Sequence, residues 1–206
     1  MMTSATAGGA ELDESELLHL ALHAMGNNHH DESMRLLKRT LNAFPGSARA
    51  HYLLGAEHAQ IGMYDRAVSE MTEAVRLDPS LAAAHFQLGL LHVTAGRVRE
   101  AQAAWLPLDR LPSDDPLRLF KSAMLHLARD ELASCAQELR EGIAHNKLNE
   151  ALNNDMRRLL ADVEQRRAGS GAAADRQDSP PLQVPPPTRH MLLSTYNRNQ
   201  DDTAAD

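Results

Sequence analysis

Aromatic side chains, cysteines and long apolar runs are scarce in this chain of 206 residues. Phe, Tyr and Trp together make up 3% of it, so a buried core must be built mostly from Leu, Ala, Val and Met. The single cysteine, Cys135, cannot form an internal disulfide, which suits a reducing compartment. No run approaches the roughly 18 apolar residues of a membrane-spanning helix, and residues 1–13 lack the basic and apolar stretches of a signal peptide. We therefore expect a cytoplasmic protein without membrane insertion.

Positive charge is also limited. The chain has 21 Lys and Arg against 28 Asp and Glu, which gives a formal net charge of −7, and no run of basic residues is longer than a pair. Nucleic-acid binding depends on dense positive charge that faces the phosphates. The composition therefore argues against a nucleic-acid partner.

An internal repeat of 34 residues is the main positive feature. It divides the chain into four blocks, 14–47, 48–81, 82–115 and 116–149. Residue size recurs at fixed positions of the blocks: one small slot holds Ala21, Gly55, Gly89 and Ala123, a second small slot holds Ser33, Ala67, Ala101 and Cys135, and a large apolar slot holds Leu37, Met71, Trp105 and Leu139. A fixed period of this length is typical of stacked copies of one small unit that bury a core only together.

Within a block, the spacing of apolar residues is helical. Met63, Ala67, Met71 and Ala74 fall at i, i+4, i+8 and i+11, which is one face of a helix. Turn-forming residues separate two such segments in each block: Asn27-Asn28, Gly62, Gly96 and Arg129-Asp130. Small residues allow two helices to approach within roughly 8–10 Å. Each block is therefore predicted to be an antiparallel helix pair.

The second block resembles the tetratricopeptide repeat. The resemblance rests on His51-x-x-Leu54-Gly55-x-x-His58, on Ala67-x-x-x-Met71 and on Pro79, with histidine where that family often has large aromatics. The third block repeats the pattern, and the first and fourth blocks keep its spacing and size classes. The resemblance covers about two-thirds of the chain and implies an all-α fold, a right-handed superhelical solenoid of about four helix-turn-helix repeats whose first helices line a concave groove.

Proline interrupts the second helix of the third block. Pro107 falls inside that helix. We expect it to end or kink the helix near Leu106, because proline lacks an amide proton and clashes with the preceding turn.

Three further segments flank the repeats. Residues 1–13 are predicted to be flexible, and residues 150–167 to form an amphipathic helix that caps the exposed end of the solenoid. Residues 168–206 are rich in Pro and Ala and are predicted to be disordered, because they cannot bury enough apolar surface to offset the entropy of ordering. They contain one apolar island at 190–196, which is either a short binding motif or plain linker. Its apolar residues are Met191, Leu192, Leu193 and Tyr196.

Residues that could carry chemistry are better explained by packing. His58 and His92 are one repeat apart, so repeat duplication explains them, and equivalent slots lie too far apart to share a metal. His19 and His23 share a helix face, but no third ligand is set by the sequence, so only a fortuitous zinc or nickel site is left open. Cys135 occupies a small slot, which predicts a buried and unreactive thiol. No catalytic signature is visible, and we expect no enzyme activity, no metal site and no cofactor.

A second apolar stripe on the first helices is the predicted partner-binding groove. Its residues fall at i, i+4 and i+7 of those helices, and the family resemblance places them on or near the concave face, where part of the stripe packs between repeats. The groove residues are Leu18, Leu22, Tyr52, Ala56, Phe86, Leu90, Val93, Phe120, Met124 and Leu127. Each such side chain contributes about 1.5–3 kcal/mol when fully buried, so three or four suffice for micromolar peptide binding.

Two functions follow from this groove. The first hypothesis is a protein–protein interaction adaptor or chaperone-like scaffold that binds an apolar peptide or an amphipathic helix of its partner in the concave groove. The alternative is a self-assembling structural protein, a homo-oligomer in which the 190–196 island docks in its own or a neighbour's groove. A clamp for a charged peptide terminus is not favoured, because Arg49, Gln87 and Lys121 lie in different blocks.

Overall fold

Nine α-helices and one 3-10 turn occur in residues 12–147 and 149–172, which are the residues that the computed structural model of the chain describes. In chain order they are α1 Glu14–Gly26, α2 His30–Ala43, α3 Ala48–Gln60, α4 Tyr64–Leu77, α5 Ala82–Thr94, α6 Val98–Trp105, the 3-10 turn Leu106–Arg110, α7 Pro116–Ala128, α8 Leu132–His145 and α9 Glu150–Ala172. The helices pack as consecutive pairs, each pair packs on the next, and α9 packs on α8. The predicted all-α solenoid is confirmed.

The turn inside each pair has the same backbone conformation. Its central residue has a positive φ: 61° at Asn28, 78° at Gly62, 73° at Gly96 and 58° at Asp130. Gly, Asn and Asp adopt this left-handed conformation at the lowest cost. The next residue then donates a hydrogen bond back into the first helix, as the Met63 amide does to the His58 carbonyl at 2.7 Å. These four turn residues thus set the direction in which the chain reverses between the two helices of each pair.

The slots of the repeat form the core. All four large-slot residues and all four residues of the second small slot are fully buried. At Gly89 the fit is closest, because a Cβ atom there would lie 2.0 Å from Nε1 of Trp105. The Trp105 indole donates to the Phe86 carbonyl at 2.9 Å and stacks on the Phe86 ring, with centroids 6.4 Å apart. The glycine is therefore required by the tryptophan that packs on it.

Proline shortens α6 as the sequence predicts. The α-helix ends at Trp105, and a 3-10 turn, Leu106–Arg110, carries the chain through Pro107. Leu108 in this turn is fully buried in the core, whereas Leu106 is 65% exposed. The 3-10 turn therefore keeps Leu108 in the core although the α-helix has ended.

The C-terminal helix is longer than expected. Its apolar face, formed by Leu152, Met156, Leu159 and Val163, is buried with the second half of the array. The helix continues to Ala172, five residues beyond the predicted end of the capping helix at residue 167. Ala168, which has high helix propensity, extends the helix beyond the buried face. The remaining tail, with the island at 190–196, lies outside the described residues, as do residues 1–11.

No helix within the described ranges is long and apolar enough to cross a membrane.

Candidate functional site

The apolar stripe of the first helices is almost entirely covered. Tyr52, Phe86 and Phe120 are 0% exposed, and among the ten predicted groove residues only Leu22 is partly exposed. The buried members are Leu18, Tyr52, Ala56, Phe86, Leu90, Val93, Phe120, Met124 and Leu127. The expectation that these side chains form an open trough does not match this burial.

The cause is contact between neighbouring repeats. First helices of neighbouring repeats approach each other, α1 against α3 and α5 against α7. The stripe therefore packs between repeats, and its buried residues are divided between the two core clusters. The role of the stripe in partner binding stays a prediction. Because the stripe is covered, a partner could reach it only if neighbouring first helices moved apart.

An open cleft lies beside the stripe where α1 and α3 begin. This cleft, called the edge cleft here, has a volume of about 630 Å3. Its lining residues are Asp13, Glu14, Ser15, Leu18, Phe44, Gly46, Ser47, Ala48, Arg49 and Asp78. Leu18, a residue of the predicted groove, is among these lining residues.

Capping interactions hold the walls of the edge cleft. The Asp13 side chain accepts a hydrogen bond from the Glu16 amide at 2.8 Å and caps α1. Ser47 caps α3 by accepting from the Ala50 amide at 3.1 Å, and its hydroxyl donates to the Glu14 carboxylate at 2.6 Å. The first turns of α1 and α3 are thus tied together, so the cleft is a fixed feature of the first two repeats.

Sequence reasoning did not identify Phe44 as part of this site. Phe44 follows α2 and lies in the connection between the first two repeats, outside the helical periodicity that selected the groove residues. Its ring is partly exposed in the cleft. An aromatic residue in a repeat connection, in a chain with so few aromatics, is the signal that could have found it.

Histidines serve mainly as hydrogen-bonding partners between helices. His30 meets Glu57 at 2.7 Å across the first two repeats, and His51 meets Glu70 at 2.7 Å within the second. His85 contacts two backbone carbonyls, at 2.9 and 3.1 Å. Within the described part of the chain, no group of three or more His, Cys, Asp or Glu side chains is arranged to hold a metal ion.

Cys135 is a packing residue, as its slot predicts. It is 0% exposed in the core of the fourth repeat. Burial raises the pKa of its thiol to about 11, because an apolar setting disfavours the thiolate. The thiol is therefore protonated near neutral pH and is not a nucleophile.

Comparison with known proteins agrees with this architecture. The family model of the tetratricopeptide repeat matches residues 18–82 and 57–114. A solved structure described as the MamA RS-1 ArsTM double mutant is 15% identical, with a TM-score of 0.57 over 94% of this chain and 99% of that one. A crystal structure of MamA protein is 16% identical, with a TM-score of 0.54 over 81% of this chain and 98% of that one. No curated protein matches the chain. At these identities the likeness to solved structures shows the fold, and the family match shows that residues 18–114 are tetratricopeptide repeats.

Proposed function

We propose that the chain is a non-enzymatic scaffold that binds a segment of another protein on the side of its first helices, entering at the edge cleft. The proposal is supported by the open volume of about 630 Å3 beside the otherwise closed apolar stripe. Leu18 and Phe44 offer an apolar floor there, and one anchor side chain buried against them contributes about 1.5–3 kcal/mol. The rest of the affinity comes from contacts further along the same side of the array.

Charge around the edge cleft selects the kind of segment. Asp13, Glu14 and Asp78 line it against one cation, Arg49. Three carboxylates outweigh one guanidinium, so the local potential favours positive charge. The proposed ligand is therefore an amphipathic helix or extended peptide with an apolar anchor flanked by Lys or Arg.

The direct test fills the cleft without disturbing the core. Ser15 is exposed at the rim, so Ser15→Trp blocks the cleft and leaves α1 intact. Gln102→Trp places the same side chain at an exposed position of α6 and serves as the matched control. We expect the wild type and Gln102→Trp to cross-link to the same partner proteins. Ser15→Trp should no longer cross-link to them. Identical sets of captured proteins from all three would refute the proposal.

Charge substitutions inside the stripe do not test binding. Phe86 and Phe120 are 0% exposed, so aspartate at either position would bury an unpaired carboxylate and unfold the array. Loss of partners in such variants would report loss of structure.

Self-assembly is the second candidate, and one exposed leucine favours it. Leu20 occupies the slot of Leu54 and Leu88 but is 42% exposed, against 3% and 6%. Leu54 is covered by α2, whereas Leu20 has no preceding repeat before it in the described chain. A second copy could cover this end of the array, as a neighbouring repeat does inside it.

Sedimentation distinguishes the routes to assembly. If another copy covers the N-terminal face, Leu20→Glu lowers the oligomer fraction and a chain ending at Ala172 does not. If the 190–196 island docks in a groove instead, only the shortened chain loses oligomers. A monomer at all concentrations for the wild type would eliminate the second candidate.

A further inference from the structure

A separate cleft opens between α2, α3 and α4, away from the edge cleft. Its volume is about 460 Å3, and it is called the interrepeat cleft here. The residues that line it are Lys38, Leu41, Asn42, Leu54, His58, Arg66, Ser69 and Glu70. The interrepeat cleft therefore lies between the second helix of the first repeat and both helices of the second repeat.

His58 forms the floor of this cleft. It is 4% exposed, and its Nδ1 atom is buried without a hydrogen-bond partner in the described chain. A buried polar atom of this kind is rare in folded proteins and calls for a specific cause. Because no neighbour bonds to Nδ1, this atom has hydrogen-bonding capacity that no described residue uses.

Two cations without ion-pair partners stand at the rim. Lys38 and Arg66 are exposed and form no salt bridge with any residue that the structure describes. The Glu70 carboxylate is held by His51, and Glu57, behind His58, is held by His30. The cleft therefore carries two cations, Lys38 and Arg66, against one lining carboxylate, Glu70.

The electrostatics of His58 place these charges within reach of the ring. Burial is the main cause that lowers the pKa of His58 below its ordinary value. Glu70 opposes that shift, Arg66 and Lys38 add to it, and Glu57 opposes it. A bound anion would act in the same direction as the two glutamates and would raise the pKa of His58.

The next groove along the array provides an internal comparison. His92 takes the place of His58 there, with Nδ1 again buried and without a partner in the described structure. Thr72 replaces Lys38 and Glu100 replaces Arg66, while Asn42 is replaced by Arg76, which pairs with Glu73 at 2.6 Å. The fold therefore does not require the cation pair, and the chain places it in only one of these two equivalent grooves.

We propose that the interrepeat cleft binds an oxyanion, with Lys38 and Arg66 pairing with its charge and the His58 imidazole beneath it. Asn42 and Ser69 add amide and hydroxyl donors at the wall. The shared chemistry is an anionic oxygen group, either phosphoryl or carboxylate. This site lies apart from the edge cleft, so Ser15→Trp leaves it unchanged and the two proposals fail independently.

The test follows the His58 imidazole by NMR in the full chain. Sodium phosphate or sodium acetate is added at constant ionic strength. Saturable binding of phosphate that raises the pKa of His58 identifies a phosphoryl site, and the same response to acetate identifies a carboxylate site. An unsaturable response to both anions, or none, overturns the proposal.

Variants decide whether the cation pair carries the binding. Lys38→Thr with Arg66→Glu copies the residues of the next groove and should weaken binding by about tenfold or more, since each 1.4 kcal/mol of lost interaction is tenfold. Arg99→Glu with Lys147→Thr makes the same charge change at exposed positions elsewhere and should bind as the wild type does. Glutamine at both Lys38 and Arg66 repeats the loss without adding negative charge. Wild-type affinity in either cleft variant, with circular dichroism unchanged, overturns the proposal.

Discussion

Gly89→Ala should destabilise the protein far more than the same change one repeat earlier. The added Cβ would lie 2.0, 2.2 and 2.4 Å from Nε1, Cε2 and Cδ1 of Trp105. The indole cannot retreat freely, because it is 0% exposed and its N–H donates to the Phe86 carbonyl at 2.9 Å. Either the ring leaves this hydrogen bond or α5 and α6 move apart.

The magnitude follows from three contributions. Alanine gains up to about 1 kcal/mol over glycine in a helix interior. Overpacking costs about 1–3 kcal/mol, and leaving the buried Trp105 indole N–H without its acceptor costs about 1–3 kcal/mol. With the middle values, about 2 kcal/mol for each cost and about 1 kcal/mol for the gain, the net loss is about 3 kcal/mol, or roughly 6–12 °C in Tm for a chain of this size.

Gly55→Ala is the matched control. The nearest atoms to its added Cβ are Cγ of Met71 at 3.1 Å, the Ala67 carbonyl oxygen at 3.2 Å and Cβ of Glu70 at 3.2 Å. Met71 is flexible and can yield, so the helix-propensity gain offsets most of the strain and the change is within about 1 kcal/mol.

Urea denaturation of both variants, followed by circular dichroism, measures the difference. Replacing Trp105 by methionine, the residue of the second repeat, makes room for the methyl group. The pair Gly89→Ala and Trp105→Met should therefore lose about 1–3 kcal/mol less than the sum of the single changes. Equal losses for Gly89→Ala and Gly55→Ala, or strictly additive losses in the double variant, would refute this reasoning.

Three further results are expected. Gly62→Ala should lower the free energy of unfolding by about 1–2 kcal/mol from backbone strain alone, because φ is 78° and no atom lies within 4 Å of the added Cβ; an unchanged urea midpoint would contradict this. Cys135 should react with thiol reagents at pH 8 only after unfolding, since burial raises its pKa to about 11, and rapid labelling of the native chain would show otherwise. Burial lowers the pKa of both His58 and His92, so the unfolded chain binds protons first and the free energy of unfolding should fall as the pH drops below about 6.5. Replacing both histidines by glutamine should flatten that part of the profile, and an unchanged slope would exclude them as the cause.

The repeat could be predicted because its signals are local. The turn residues Asn28, Gly62, Gly96 and Asp130 recur at one position of the period, and each is a type that tolerates the left-handed backbone found there. Pro107 ends α6 for an equally local reason. Information of this kind is contained within a few residues of chain, so periodicity alone is enough to place the helices.

Accessibility of the groove could not be predicted, because it depends on how neighbouring repeats meet. Residues at i, i+4 and i+7 on a first helix have the same pattern whether the next first helix covers them or leaves them open. Phe86 is 0% exposed and Leu22 is partly exposed, although both were assigned to one stripe. Leu20 and Leu54 differ in the same way, since only Leu54 has a repeat before it. Burial here follows from position in the array.

The two histidine grooves show where function is best sought in such an array. The repeat places a histidine at the same position of both grooves. His58 and His92 both have a buried Nδ1 without a partner in the described residues. Selection on packing alone would leave the exposed rim residues free to vary, with no bias toward one charge. At the first groove the rim carries two unpaired cations in a chain whose net charge is −7. Departure from the repeat at exposed positions above a constant histidine floor is therefore where we look for a ligand, and the proposed anion site rests on this difference at Lys38 and Arg66.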